Sequence, residues 1–210
     1  EHVAPWEKWW PTWESTLPQY RPLCDPLNGT CNQELSHNCK YCKYYLYGEV
    51  ARRLARADHP GASSAEVEAA AKNAWETTAV EWLVRTVAVA KQLRPAAVWG
   101  FWDLVPGRIS LADSETRMHL EPLWNEVTGL FPSIYITSNT SSAERNRAWV
   151  ETKLAASRAI ADARRPVLPI YAYTNPEYLS PPLDFLSGAD FASEYVLPGH
   201  FGLAGLALYG

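Results

Sequence analysis

From Ala97 onwards, short and almost wholly apolar segments alternate with longer stretches of helical periodicity, and this alternation constrains the fold more than any other feature. The spacing predicts strands at 97–102, 133–136, 167–173 and 203–209, with helices at 115–128, 143–163 and 191–197 between them. Upstream it predicts a helix over 44–57, a stop at Asp58-His59-Pro60-Gly61, and a longer helix that Pro95 ends. Ser63 and Glu66 have the spacing of a capping box at the start of that longer helix. Its apolar face is read as Val67, Ala70, Ala71, Ala74, Val80, Leu83, Val87 and Ala90. Strands that are apolar on both faces and alternate with helices make a parallel sheet covered by helices, in the manner of a β/α barrel. In such barrels the chemistry sits at the C-terminal strand ends. Trp102, Tyr135, Tyr173 and Tyr209 fall at those ends.

The first residues supply a fifth strand end. Val3 and Ala4 lead into Pro5-Trp6-Glu7-Lys8-Trp9-Trp10-Pro11-Thr12-Trp13, in which four tryptophans fall within eight residues. Side chains alternate along a strand, so Pro5, Glu7 and Trp9 share a face. A carboxylate walled by aromatic rings is partly desolvated, which raises its pKa and suits it to donate a proton near neutral pH. Glu7 therefore reads either as such a proton donor or as a solvated carboxylate beside core aromatics.

A net charge of −4 argues against a surface that grips a polyanion, whether nucleic acid or an acidic glycan. The pairs Arg52-Arg53 and Arg164-Arg165 read as solvated helix faces and ends. No apolar run approaches the roughly 20 residues that span a bilayer, and no leader peptide is visible, so the sequence reads as a mature or trimmed form. The four cysteines, Cys24, Cys31, Cys39 and Cys42, lie in a stretch without periodicity. They read either as two disulfides stapling a loop at 24–42 or as a metal site built on Cys39 and Cys42 with His37. The sequons at Asn28 and Asn139 point to a secreted glycoprotein and so favour disulfides. The five histidines are scattered without metal-ligand spacing. Neither a nucleophile-elbow serine nor a phosphate-cradling glycine loop is present.

The stretch from Pro5 to Trp13 resembles the Asp-Trp-Glu-Glu-Trp-Arg-Pro-Thr-Trp pattern of the hyaluronidases, glycoside hydrolase family 56. The resemblance continues collinearly through Leu93-Arg94-Pro95, Val98-Trp99-Gly100-Phe101, Leu123-Trp124-Asn125-Glu126, Leu130-Phe131-Pro132-Ser133-Ile134-Tyr135, Leu168-Pro169-Ile170-Tyr171-Ala172-Tyr173 and the stretch Gly202 to Gly205. It implies one domain over residues 1–210, an incomplete TIM-like barrel of about five parallel strands with outer helices. The family's first two strands would be absent, and another polypeptide would cover the open edges. It implies Glu7 and Tyr135 as catalytic residues, with Trp6, Trp10, Trp102, Tyr173 and Tyr209 lining a glycan site and with no cofactor and no metal. In this family the substrate's own N-acetyl carbonyl is the nucleophile, an exception to the two-carboxylate rule.

The departures are as informative as the matches. Pro5 replaces the family's second acid, Trp10 an arginine, Trp102 a tyrosine and Tyr209 a tryptophan, while Lys153 aligns with a further arginine. The resemblance thus implies either a secreted glycosidase of weakened activity on N-acetylhexosamine-containing glycans or a catalytically silent module that binds glycan or builds an extracellular assembly.

Overall fold

The computed structural model describes residues 39–105, 114–180 and 183–209, with the backbone alone for 39–47, 49 and 114–119. Glu7, Trp6, Trp10, Cys24, Cys31 and Asn28 lie outside the described residues. The chain divides between Val80 and Glu81 into two compact units.

In the first unit, α1 (Cys39–Asp58) and the start of α2 (Ser64–Leu93) pack through small side chains. Ala55, Val67 and Ala71 form the buried cluster, with Ala51, Ala62 and Ala70 against it. Arg52 grips Glu68 in a two-pronged pair, Nε–Oε2 at 2.7 Å and a second nitrogen to Oε1 at 3.1 Å, so it is not the solvated residue expected from the sequence. The capping box forms as expected: the Ser63 N–H donates to Glu66 Oε2 at 2.7 Å and the Glu66 N–H to Ser63 Oγ at 3.3 Å. Two expectations need correction. Helix α1 starts at Cys39, so the last residues of the supposed 24–42 loop are helical, with Cys39 and Cys42 on its first turn. On α2 Ala74 is exposed, and Glu76 takes the buried position beside Lys72 at 3.6 Å.

The second unit holds the sheet. Four extended segments follow one another in parallel: Trp102 bridges Phe131, Leu130 bridges Ile170, Ser133 bridges Tyr173, and β1 (Tyr171–Thr174) pairs with β2 (Gly205–Leu208). The ladders are short because Pro132 and Pro169 have no N–H to donate. Their carbonyls still accept, from Tyr173 N–H at 2.8 Å and Leu130 N–H at 3.0 Å. Gly100 and Gly129 let two of these segments touch. A Cβ on Gly100 would strike the Gly129 carbonyl, and one on Gly129 would strike Val98.

Helices α3 (Ser114–Glu126) and α4 (Ala143–Asp162) flank the sheet, each close to its sequence-predicted span. Ser142 caps α4 through its side chain. The core follows the two periods: Ile134, Ile136 and Ala172 from the extended segments meet Val150 and Leu154 from α4. Lys91 Nζ closes the C-terminal end of α3, donating to the Glu126 carbonyl at 3.0 Å and its carboxylate at 2.8 Å. Arg164, expected to be solvated, donates to the Trp124 carbonyl at 3.2 Å and pairs with Glu121 at 2.9 Å. The final helix is longer than expected and composite. It runs through α5 (Gly188–Phe191), a π-helical turn (Ala192–Val196) and α6 (Leu197–His200).

Candidate active site at the strand ends

Parallel register carries the ends of all four segments to one side of the sheet. Trp102, Tyr135, Tyr173 and Tyr209 end or immediately follow these segments, as the sequence predicts. Trp102 and Tyr209 are largely open to solvent, whereas Tyr135 and Tyr173 are half-buried. The Trp102 indole N–H donates to the Tyr135 hydroxyl oxygen. Burial pushes the Tyr135 phenol above its ordinary value despite that bond, and Tyr173, Tyr209 and Glu194 add to the rise. Tyr135 therefore stays neutral, and its O–H remains available to a bound acceptor. Exposed aromatic rings with polar edges suit the faces of sugar rings.

Beneath this face sit two buried charged groups. Asp103, in the left-handed region at φ 56, accepts from the Ser133 N–H at 3.0 Å and pairs with Lys153 Nζ at 2.6 Å. Lys153 also donates to the Val105 carbonyl at 2.7 Å and lies 5.7 Å from the Trp149 ring centroid. The Lys153 side chain has 0% exposure. Burial pushes its ammonium down while Asp103 pulls it back up. Lys153 is thus spent inside the fold, where it fastens α4 to the Trp102 strand end.

The second group, Glu194, was not singled out from sequence. It is wholly buried on the π-helical turn and accepts from Ile136 N–H at 2.6 Å, Asn175 N–H at 3.4 Å and the Thr174 hydroxyl. Ile136 and Thr174 directly follow Tyr135 and Tyr173, so one carboxylate ties two tyrosine-bearing ends together. Burial pushes Glu194 up to about 7, against the lowering effect of these bonds. An acid inside the largely apolar run Phe191 to Leu197 was the available signal.

Asp190 is also buried, held by Asn146 at 3.0 Å, the Tyr178 hydroxyl at 2.5 Å and Ser187 at 3.0 Å. Asn139 lies on an exposed turn, where its amide donates to Asp184 at 2.7 Å. Among the described residues no group of three or more His, Cys, Asp or Glu side chains could hold a metal ion. Among them, too, no helix is long and apolar enough to cross a membrane.

The hyaluronidase model of glycoside hydrolase family 56 matches residues 36–210, most of the chain. The chain belongs to the hyaluronidase family. Sheep (Ovis aries) hyaluronidase-2 is 28% identical over 181 residues, covering 79% of this chain and 38% of that protein. Guinea-pig (Cavia porcellus) hyaluronidase PH-20 is 25% identical, covering 99% of this chain and 37% of that protein. The chain therefore spans less than two-fifths of these relatives. In three dimensions it is similar to bee venom hyaluronidase, with a TM-score of 0.67 at 21% identity over 80% of this chain and 57% of that one. The same enzyme in complex with a hyaluronic acid tetramer gives 0.68 at 22% identity, over 79% of this chain and 55% of that one. The hyaluronidase-family fold is thus a TIM-barrel type, of which the described residues form a partial parallel sheet with its helices.

Proposed function

We propose that the aromatic strand-end face binds N-acetylhexosamine-containing glycans and that Glu7 is the acid of a weakened hydrolase. The observation that carries this reading is the convergence of Trp102, Tyr135, Tyr173 and Tyr209 on a hyaluronidase-family fold. The bee venom enzyme's complex with a hyaluronic acid tetramer supports a glycan as the ligand class. In the proposed reaction the acetamido carbonyl oxygen bonds to the anomeric carbon as the glycosidic C–O bond breaks. Glu7 gives its proton to the departing oxygen, then takes one from the water that opens the cyclic intermediate. Tyr135 offers its neutral O–H to the acetamido group.

Two features weaken turnover. Pro5 stands where the family has a second acid, and loss of one such electrostatic partner typically costs ~10²–10³ in rate. The anion grips are also reduced: Trp10 replaces an arginine, and Lys153 is locked to Asp103 at 2.6 Å. That locked lysine favours a second reading, a glycan-binding module without turnover. Hydrolysis of hyaluronan and chitin oligosaccharides by the wild type and Glu7→Gln separates the two. Slow hydrolysis that Glu7→Gln abolishes supports the first, and binding without hydrolysis supports the second. Turnover that survives Glu7→Gln rules out Glu7 as the acid, and absence of both binding and turnover overturns the glycan reading.

A further inference from the structure

The exposed Asn139 heads the sequon Asn139-Thr140-Ser141, on a turn that is fixed locally. The Thr140 N–H donates to Ser138 Oγ at 3.1 Å, and the Ser138 and Thr140 hydroxyl oxygens lie 3.0 Å apart. The Asn139 amide nitrogen, the atom that N-glycosylation modifies, lies 2.7 Å from Asp184 Oδ2 on the neighbouring loop. That loop is fastened to the same extended run. The Leu179 N–H donates to the Ile136 carbonyl at 3.3 Å and the Ser180 N–H to the Thr137 carbonyl at 2.9 Å. The attachment atom is thus held at the seam between two fixed pieces of chain.

Both pieces wall a cavity of about 650 Å³, with α4 as its third wall. Ser138 and Ser141, which bracket the sequon asparagine, line it, as does Leu179 from the loop. Tyr135 lines it from the aromatic face, and Trp149 supplies an indole from α4. This volume falls within the ~300–1,000 Å³ typical of small-ligand sites. A glycan on Asn139 therefore starts at the cavity rim, a few bonds from its walls. The first sugars of an N-glycan are a pair of N-acetylglucosamines, whose rings offer apolar faces to the indole and polar edges to the surrounding hydroxyls.

We propose that an N-glycan on Asn139 folds back into this cavity as its resident ligand and covers the Tyr135 side of the aromatic face. The inference rests on the glycan reading above and deepens it, by giving that site a regulator carried on the same chain. In the modification the amide nitrogen loses a proton and bonds to the anomeric carbon of the first N-acetylglucosamine as a lipid-linked diphosphate leaves. Tethering places the sugars at an effective concentration on the order of mM, so contacts too weak to hold a free monosaccharide suffice. A glycan arriving from solution then competes with the tethered one.

Protein made through a eukaryotic secretory pathway with high-mannose glycans tests this, as wild type, Asn139→Gln and Trp149→Leu. The leucine keeps an apolar side chain against the core that Trp149 packs on. An endoglycosidase that cuts between the paired N-acetylglucosamines is timed on the native proteins, with the Asn139 peptide followed by mass spectrometry. A docked pair is shielded, so cutting at Asn139 should be at least ~5-fold slower in wild type than in Trp149→Leu or in denatured wild type. Calorimetric titration should show Asn139→Gln, which lacks the glycan, binding chitotetraose at least ~3-fold more tightly than glycosylated wild type. Equal cutting rates in wild type and Trp149→Leu, equal and measurable chitotetraose affinity with and without the glycan, or an unmodified Asn139 overturns the inference and leaves the aromatic-face reading intact. Shielding that Trp149→Leu abolishes, with no chitotetraose binding by Asn139→Gln, upholds the docked glycan and overturns the aromatic-face reading.

Discussion

Glu194 accepts a 2.6 Å hydrogen bond from the backbone N–H of Ile136, 58 residues earlier in the chain. With Thr174 bound to the other oxygen, the carboxylate spans two strand ends that pair in parallel upstream. Holding a wholly buried acid there costs desolvation, which is why its pKa is raised to about 7 from 4.5. Asp190, Tyr135 and Tyr195 are the titratable groups coupled to it. Because the folded pKa lies above the unfolded one, the folded protein binds the proton more tightly. This contribution to stability is fully present below about 4.5 and is lost as pH rises through about 7. Melting temperature should therefore fall across that window, and Glu194→Gln should flatten the fall. In that variant the Thr174 hydroxyl can turn to accept from the amide. An equally steep profile in Glu194→Gln would show that other groups set the pH dependence.

Lys153→Ala should cost about 3–5 kcal/mol, because it leaves Asp103 as an uncompensated charge in a dry site. Lys153→Met fills the volume but leaves the same orphaned carboxylate, so it should be comparably destabilised near neutral pH. Denaturant unfolding of the wild type and both variants measures these losses. A loss below about 1 kcal/mol would place the pair among solvent-screened contacts.

The elements whose limits were legible in the sequence are those marked by local chemistry. Ser63 with Glu66 opens α2, and the segments ending at Trp102, Tyr135 and Tyr173 stand out as short apolar runs between helical stretches. The start of α1 at Cys39 was missed because Cys, Lys and Tyr carry no capping or periodic signal there. The π-helical turn was missed for a different reason. It seats Glu194 under Ile136 and Thr174, and partners 58 and 20 residues away leave no trace in local spacing. Asp103 and Lys153 are separated along the chain in the same way, so Lys153 read as an alignment position and its role as a buried fastener did not.

Cys24, Cys31, Cys39 and Cys42 are expected to form two disulfides. Their number is even, they cluster within nineteen positions, and the chain carries sequons. Intact mass after alkylation without reductant should show no modified thiol. Four alkylated cysteines together with stoichiometric zinc would establish the metal site instead.

Asn139 is exposed and heads the sequon Asn139-Thr140-Ser141. Expression through a eukaryotic secretory pathway should add an N-glycan there, seen as a mass loss on enzymatic deglycosylation. Ser141→Ala should abolish that part of the mass difference while Asn28 keeps its own. An unchanged mass difference in Ser141→Ala would show that Asn139 is unmodified. The glycan would displace the amide hydrogen from Asp184, an exposed contact whose loss should change stability by less than about 1 kcal/mol.

Tyr135→Phe and Trp102→Ala separate hydrogen bonding from stacking on the aromatic face. Tyr135→Phe removes an acceptor from the Trp102 indole N–H, but Trp102 is 48% exposed, so water replaces it. Stability should change by less than about 1 kcal/mol, while binding of an N-acetylated oligosaccharide weakens up to ~10-fold, the worth of one neutral hydrogen bond. Trp102→Ala should weaken binding by a similar or larger factor through lost stacking, without the pH dependence that a titrating contact would bring. The double variant should lose less than the sum of the two, because the indole and the phenol act as a bonded pair. Titration of the four proteins with chitotetraose closes this cycle. Strict additivity would mean that Trp102 and Tyr135 contact the glycan independently, and unchanged affinity in both single variants would remove the aromatic face from the binding site.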